Sequence, residues 1–472
     1  MRFIKNFSRA DLEKIHQASL DLLAGTGIDF HSPESLAVFK NHGFKVAEER
    51  VFITQPQLEK ALATAPAGFS IRARNPENNL RIGGPDFILG PSCGNTNVME
   101  ADGAMRPGTL EDYDRLVKLV QTSPLKNLFS GGLCYPQDVP GHLAHVHMLL
   151  KDLTLTDRVV MCNMAAVRNA HDSLDLLELV FGGRSGVEEG PCSISVINPF
   201  TPLKYAADQA EGILILARAN QPMVIANMMM LGATAPVSVP AALAMGNAEI
   251  LAGLVLAQLA RPGVGVVYGS TSCPMDMKSM VATLGTPETI WLSRGTLALA
   301  DFYGLPCRTG GSLTDSHLPD GQAMMDGTAI FMNALYGGAN FIMHSFGMLG
   351  GYQSISLEKF LLDEEMVRLT MATLEAPEVS EKTLSLPVIE AVGPGGDYLT
   401  HQDTLKNFRK LYRPGFLNRS SHESWQSKGR PDSLAQAGAH VEKRLKDWVK
   451  PAIEPQLEEE LTKLARAKGA EV

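Results

Sequence analysis

Between about residues 86 and 375, short and almost uninterrupted apolar runs alternate with longer stretches in which apolar residues recur every three or four positions. The short runs are DFILGPSCG (86–94), NLFSGGLCYP (127–136), RVVMCNMA (158–165), CSISVINP (192–199), PMVIANMMM (222–230), VGVVYGSTS (264–272), LPCRTGGS (305–312) and ANFIMHSFG (339–347). A run apolar on successive residues suits a strand covered on both faces, as in a parallel sheet. The stretches between them, such as TLEDYDRLVKLVQ and VPAALAMGNAEILAGLVLAQLA, carry helical periodicity. Strand and helix units repeated eight times predict an α/β fold, a (β/α)8 TIM barrel with its chemistry at the C-terminal ends of the strands. An open doubly wound sheet fits less well, because no GxGxxG follows the first run.

The flanks read differently. Residues 1–80 predict an N-terminal helical cap, with Ser8, Ser32 and Thr54 each placed as a helix N-cap. Residues 86–375 form the barrel. Residues 376–472 are a C-terminal extension, punctuated by Pro and Gly, that packs on the barrel or on a neighbouring subunit; the second option implies a homo-oligomer. Its tail, 434–468, reads as solvated amphipathic helices broken at Pro451, whose alternating charge carries no catalytic meaning.

Composition narrows the class. The 472 residues are 45% hydrophobic and 20% charged, and 42 Lys and Arg against 51 Asp and Glu leave a formal charge of -9. An acidic chain without a basic cluster lacks the footprint for nucleic acid or an anionic membrane. The N-terminus has no apolar signal region, and no apolar stretch is read as approaching the roughly 20 residues of a membrane span, so a cytoplasmic location is expected. Six cysteines without a CxxC pair read as reduced thiols, and no metal site is expected on this chain.

The strand ends would gather Asn95, Asn97, Tyr135, Asn163, Asn198, Phe200, Asn227, Tyr268, Arg308, His344 and Phe346 at one face. This is an amide-rich, aromatic set with methionines beside it. It offers no lysine for a Schiff base, no clustered carboxylates and no nucleophile elbow. His145 and His147 lie two apart in a helical pattern and face different ways. Asp276 and Glu288 are placed to brace a loop or cap a helix as readily as to act on a substrate. A pocket poor in charge and rich in rings and thioethers suits a poorly hydrated cation such as a quaternary ammonium. A histidine at a strand end is commonly a satisfied structural residue, and Met and aromatic residues there commonly fill core.

Three segments carry a resemblance: GGANFIMHSFGML (337–349), VGPGGDYLTHQDTLKNFR (392–409) with RPGFLNRSSHESW (413–425), and YGSTSCPMDM (268–277) followed by GTPE (285–288). With these the chain resembles the trimethylamine methyltransferase family, over nearly its whole length. The chain contains only the twenty standard residues, so the resemblance is to the branch without pyrrolysine, and within it to glycine betaine methyltransferases. The resemblance implies transfer of a methyl group from a quaternary amine, most of all glycine betaine, to Co(I) of a corrinoid protein, leaving dimethylglycine. Cobalamin then belongs to a partner docking at the C-terminal face of the barrel. Displacement from a quaternary ammonium releases a neutral amine, so neither an acid–base residue nor an enzyme nucleophile is expected. Tyr135, Phe200, Tyr268 and Phe346 would hold the trimethylammonium, and His344, Asn95, Asn97, Asn198 and Arg308 would supply donors to the carboxylate, His344 first among them. Two other classes stay open: a lyase or isomerase of a small polar substrate, and a quaternary-amine binding protein without turnover.

Overall fold

The computed structural model describes residues 7–163 and 166–471. The last two residues of the run expected at 158–165 therefore lie outside the described residues. Seven of the expected strands form one parallel sheet, in the order Ile88–Leu89, Phe341–Met343, Cys307–Gly310, Val266–Ser270, Met223–Asn227, Ser193–Ile197 and Val160–Cys162. Apart from its first member, each strand feeds a helix lying against the sheet, among them Val167–Phe181, Ala207–Arg218, Val239–Ala260, Pro287–Tyr303, Gly321–Tyr336 and Leu357–Met371. The eighth run departs from expectation. Residues 127–130 lie between the two outer strands but make only isolated parallel bridges, Leu89 with Leu128 and Ser130 with Val160. Gly131 and Gly132 follow at once, with φ of 126° and 68°. The first sits so close to the Met161 backbone that a Cβ there would collide with it. A strand cannot continue through such a turn.

Successive side chains alternate between two cores. Val224, Ala226, Val267, Phe341 and Met343 face the inner one, while Met223, Ile225, Val266, Tyr268 and Ile342 face the helices. Both sets are apolar, which is why the runs read as continuous in sequence.

The N-terminal helices start where their caps predict: Arg9–Asp21 after Ser8, Pro33–Asn41 after Ser32, and Gln55–Leu62 after Thr54. They are tied into the main core. Ser19 Oγ donates to Ala244 O at 2.8 Å, and strand Ile28–Phe30 pairs in parallel with Lys204–Tyr205, where Phe30 stacks on Tyr205 at 4.9 Å.

Helix Val239–Ala260 corrects one expectation. Its 22 residues, with a mean hydropathy of 1.6, are long and apolar enough to span a membrane. Here the helix is buried between the N-terminal helices and the sheet, and Glu249 on it accepts hydrogen bonds from Leu203 N–H at 2.8 Å and Thr201 Oγ1 at 3.0 Å.

After helix Leu357–Met371 the chain leaves the body and returns as helix Ser433–Asp447, which packs back on it through Ala437 and Val441. The Arg444–Glu364 ion pair, at 2.8 Å, joins these two helices. Helix Pro455–Ala467 buries Leu461 and Ala465 on the neighbouring surface.

Candidate functional site

A cavity of about 370 Å³ opens at the C-terminal ends of the strands. Its wall takes residues from all eight of the runs, including Met161, Asn198, Arg308, Met343 and His344.

Arg308 reaches the cavity because of its parity on strand Cys307–Gly310: it pairs beside Phe341 and Gly269, both on the inner face, whereas Cys307 turns to the helices. Its side chain is buried, and among the described residues its one hydrogen-bond contact is the Met343 sulfur, 3.6 Å from Nη2. Among the described residues Nε and Nη1 have no hydrogen-bond partner. Burial lowers its pKa to about 10. A guanidinium removed from water without a counter-ion is costly, and the cost is offset when an anion arrives.

His344 ends its strand in the left-handed region, φ 59°. Backbone bonds fix it there, His344 N–H to Pro91 O at 3.2 Å and Ser312 N–H to His344 O at 2.9 Å. Its Nδ1 accepts the Cys93 N–H at 3.3 Å, which assigns the ring proton to Nε2. Burial, and then the charge of Arg308, hold the imidazole well below its ordinary pKa. The ring is therefore a neutral N–H donor. Behind it Lys359 and Asp363, both wholly buried, form an ion pair at 2.8 Å, and Asp363 accepts the Gly347 N–H at 2.7 Å. That pair pins the segment after the histidine.

Aromatic and thioether groups, Tyr135, Tyr352, Met161, Met228 and Met343, line much of the remaining wall. Tyr352 meets the His344 ring edge-on at 5.0 Å, with its hydroxyl beside Thr271. The Cys93 thiol also lines the wall, and burial pushes its pKa up to about 12. Among the described residues no Asp or Glu lines the cavity.

Four of the nine residues expected at the site line this cavity: Tyr135, Asn198, Arg308 and His344. Asn198 donates to Ala226 O at 2.5 Å, and the Tyr135 hydroxyl accepts from Asn163 at 3.4 Å. The other five stand elsewhere. Asn95 is buried and donates to Tyr352 O and Ser354 O, at 3.1 and 3.0 Å, so it holds the loop bearing Tyr352. Asn97 ties the same loop through Gln353 O at 3.2 Å. Tyr268 faces the helices and donates to Asn247 Oδ1 at 3.0 Å. Phe346 packs on Phe360 at 5.1 Å, and Phe200 is 58% exposed beneath Lys204. Of the remaining candidates, Asp276 braces its turn by accepting from Lys278 N–H and Ser279 Oγ, and His145 pairs with Asp172 at 3.0 Å. Among the described residues no group of three or more His, Cys, Asp or Glu is placed to hold a metal.

Tyr352, Thr271 and Gln209 line the cavity without having been expected. Only Tyr352 carries a signal in sequence, since it directly follows Gly350 and Gly351, two left-handed glycines that turn the chain back over the site.

Comparison with known proteins bears on the whole chain. It is 36% identical to a glycine betaine methyltransferase of Desulfitobacterium hafniense (strain Y51), over 98% of this chain and 96% of the relative. It is 30% identical to a proline betaine:corrinoid methyltransferase of Eubacterium limosum, over 86% and 85% respectively. The crystal structure of the Methanosarcina barkeri monomethylamine methyltransferase superposes with a TM-score of 0.53 at 11% identity, covering 93% of this chain and 88% of that one, a likeness of fold. Since residues 1–472 match the family described as trimethylamine methyltransferase (MTTB), the chain belongs to that family.

Proposed function

We propose that this protein is a methyltransferase that takes a methyl group from a quaternary amine bearing a carboxylate, glycine betaine or a close relative, and passes it to a corrinoid protein. The observation that carries the carboxylate is Arg308, a buried guanidinium with two unpartnered nitrogens in the cavity wall. The names of the two betaine-using relatives support the same reading.

Arg308 and the Nε2–H of His344 would take the carboxylate, since a charged fork and a neutral donor suit one anionic group. Tyr135, Tyr352 and the methionines would enclose the trimethylammonium by cation–π and dispersion contacts. A bare cation has nothing to offset Arg308, whereas a zwitterion does. The corrinoid supplies a strongly nucleophilic Co(I) to accept the methyl group, and the leaving group is a neutral amine. The chain has then to aim the substrate and exclude water, which lowers the barrier through orientation. The loops that follow the strands expose Met228, Met277, Met280 and Leu318. An adaptable apolar rim of this kind suits docking of the corrinoid protein over the mouth. We read the fold as an eight-unit barrel, supported by the bridges of residues 127–130 to both outer strands, with cap, barrel and extension bounded near residues 80 and 375. The acidic surface supports a cytoplasmic enzyme without nucleic-acid or membrane partners.

A lyase or isomerase would need a titrating group at the substrate. The two carboxyls that burial raises to about 7, Asp152 and Glu249, stand outside the cavity wall. Incubation of the purified protein with Co(I) cobalamin, followed by absorbance, tests the proposal. Methylcobalamin is expected with glycine betaine and not with trimethylamine or choline. Equal turnover of choline would sink the role given to the carboxylate, and tight binding of betaine without turnover, even with a cognate corrinoid protein, would leave a binding protein.

A further inference from the structure

Three side-chain amides stand in the cavity wall: Asn163, Asn198 and Gln209. Two of them are held by the protein. Asn198 donates to Ala226 O, and Asn163 to the Tyr135 hydroxyl. Gln209 differs: its Oε1 is buried without a hydrogen-bond partner, and among the described residues its NH2 donates to nothing. An amide tied at one end is fixed in orientation, whereas an untied one exchanges oxygen for nitrogen by a half-turn about its last bond. Gln209 can therefore offer either an acceptor or a donor to whatever fills the cavity. A buried polar group without a partner is costly, and a ligand that meets it removes the cost.

Its place decides which end is used. Arg308 lies on strand Cys307–Gly310, and His344 directly follows the adjacent strand Phe341–Met343. Gln209 lies in the first turn of helix Ala207–Arg218, which follows strand Ser193–Ile197. That strand is three places in the sheet from the strand of Arg308 and four from the one before His344. The amide thus faces the two carboxylate donors across the cavity. Depth separates them as well, since Arg308 and His344 are buried, Gln209 is half-buried, and Asn198 and Met228 in the same wall are exposed. A betaine whose carboxylate is drawn to the buried end has its ammonium on the side of Gln209, where a methyl group can be reached from outside. No carboxylate among the described residues lines the wall to meet that ammonium.

We infer, resting on the betaine reading of the site, that Gln209 recognises the positive charge of the substrate: its Oε1 turns to the trimethylammonium and accepts the C–H groups that the cationic nitrogen polarises. Rings and thioethers supply the fit, and they accept an uncharged group of the same shape almost as well. The amide oxygen does not. Its contact belongs to the bound substrate and fades during the reaction. As the methyl carbon passes to Co(I), the electron pair of its C–N bond stays on nitrogen, which becomes neutral, and the oxygen has less to attract. Gln209 is thus a specificity residue that selects a quaternary ammonium over its neutral counterpart.

Isothermal titration calorimetry with two ligands is the test: glycine betaine, and tert-butylacetate, in which carbon replaces the charged nitrogen at the same shape. The wild type binds betaine more tightly than the isostere. Gln209→Met, which keeps the length of the side chain and removes its amide, weakens betaine about 5-fold and leaves the isostere unchanged, with the melting temperature kept. Gln209→Asn, which withdraws the oxygen by one methylene, falls between the two. In the methyl-transfer assay Gln209→Met raises KM for betaine with kcat unchanged or higher, because the lost contact is made in the ground state. Equal weakening of both ligands overturns the inference, as does a variant that binds betaine like the wild type or loses kcat at unchanged KM. A wild type that binds both ligands equally also overturns it while leaving the carboxylate site standing. A wild type that binds neither overturns the betaine reading and the role of Gln209 together.

Discussion

Two arginines are buried in this molecule, on different sides of the sheet, and their surroundings are opposite. Arg158 lies where strands begin, and donates to Leu125 O at 2.6 Å, Leu128 O at 3.3 Å and Ser123 O at 2.8 Å. Arg308 lies where strands end, and among the described residues it donates to no oxygen. Burial alone therefore says little about role. A guanidinium whose two Nη atoms are met by three carbonyls, with only its Nε unmet, is part of the scaffold, and one that leaves both Nε and Nη1 unmet among the described residues is waiting for a ligand.

The comparison can be broken most directly by making the same substitution at both. Arg308→Met is expected to lower kcat/KM for glycine betaine by about 10- to 150-fold, the range for loss of a charge-assisted hydrogen bond, with the melting temperature unchanged or raised. Arg158→Met should do the reverse, leaving three carbonyls unmet and removing about 2–4 kcal/mol of stability in denaturant titration, with KM intact in the folded fraction. Equal losses of stability in the two would erase the distinction.

His344→Ala sharpens the picture one step down. Loss of a neutral donor should raise KM about 10-fold with kcat nearly spared. Because its imidazole is held well below 6.5, the ring stays neutral and kcat/KM should be flat from about pH 8 to about pH 6. Arg308 gives the opposite limb: its charged form binds the carboxylate, so kcat/KM should fall as pH rises through about 10. A fall on acidification near 6.5 would place a titrating histidine in the site instead. The smallest effect belongs to Tyr268→Phe, which leaves Asn247 with one bond fewer at a cost of about 1 kcal/mol of stability, and should not move KM.

The Tyr268 and Arg308 pair also marks how far the sequence could be read. The order of strands and helices was legible, because apolar runs and capped helical periods alternate from residue 86 onward, and Ser8, Ser32 and Thr54 cap the helices they were expected to cap. Which side of the sheet a strand residue faces was not. Strands packed on both sides show no polar alternation, so Tyr268, facing helices, and Arg308, facing the cavity, look alike in sequence. The same blindness placed Phe346 with the site. Asn95 and Asn97 are near in space but serve the loop that brings in Tyr352, and the tyrosine itself stands just beyond the run at 339–347. The run at 127–136 has the pattern of an ordinary strand because glycine spacing does not reveal how closely another backbone will approach.

The left-handed turn at His344 has one more consequence. Its backbone is held on both sides, and the segment after it is tied to a wholly buried ion pair. The donor is therefore aimed before any ligand enters, and its rotational freedom was surrendered when the chain folded. Binding a betaine should then proceed without a closing motion of this segment: a single-exponential approach to equilibrium whose rate rises linearly with ligand concentration, with no plateau from an isomerising enzyme.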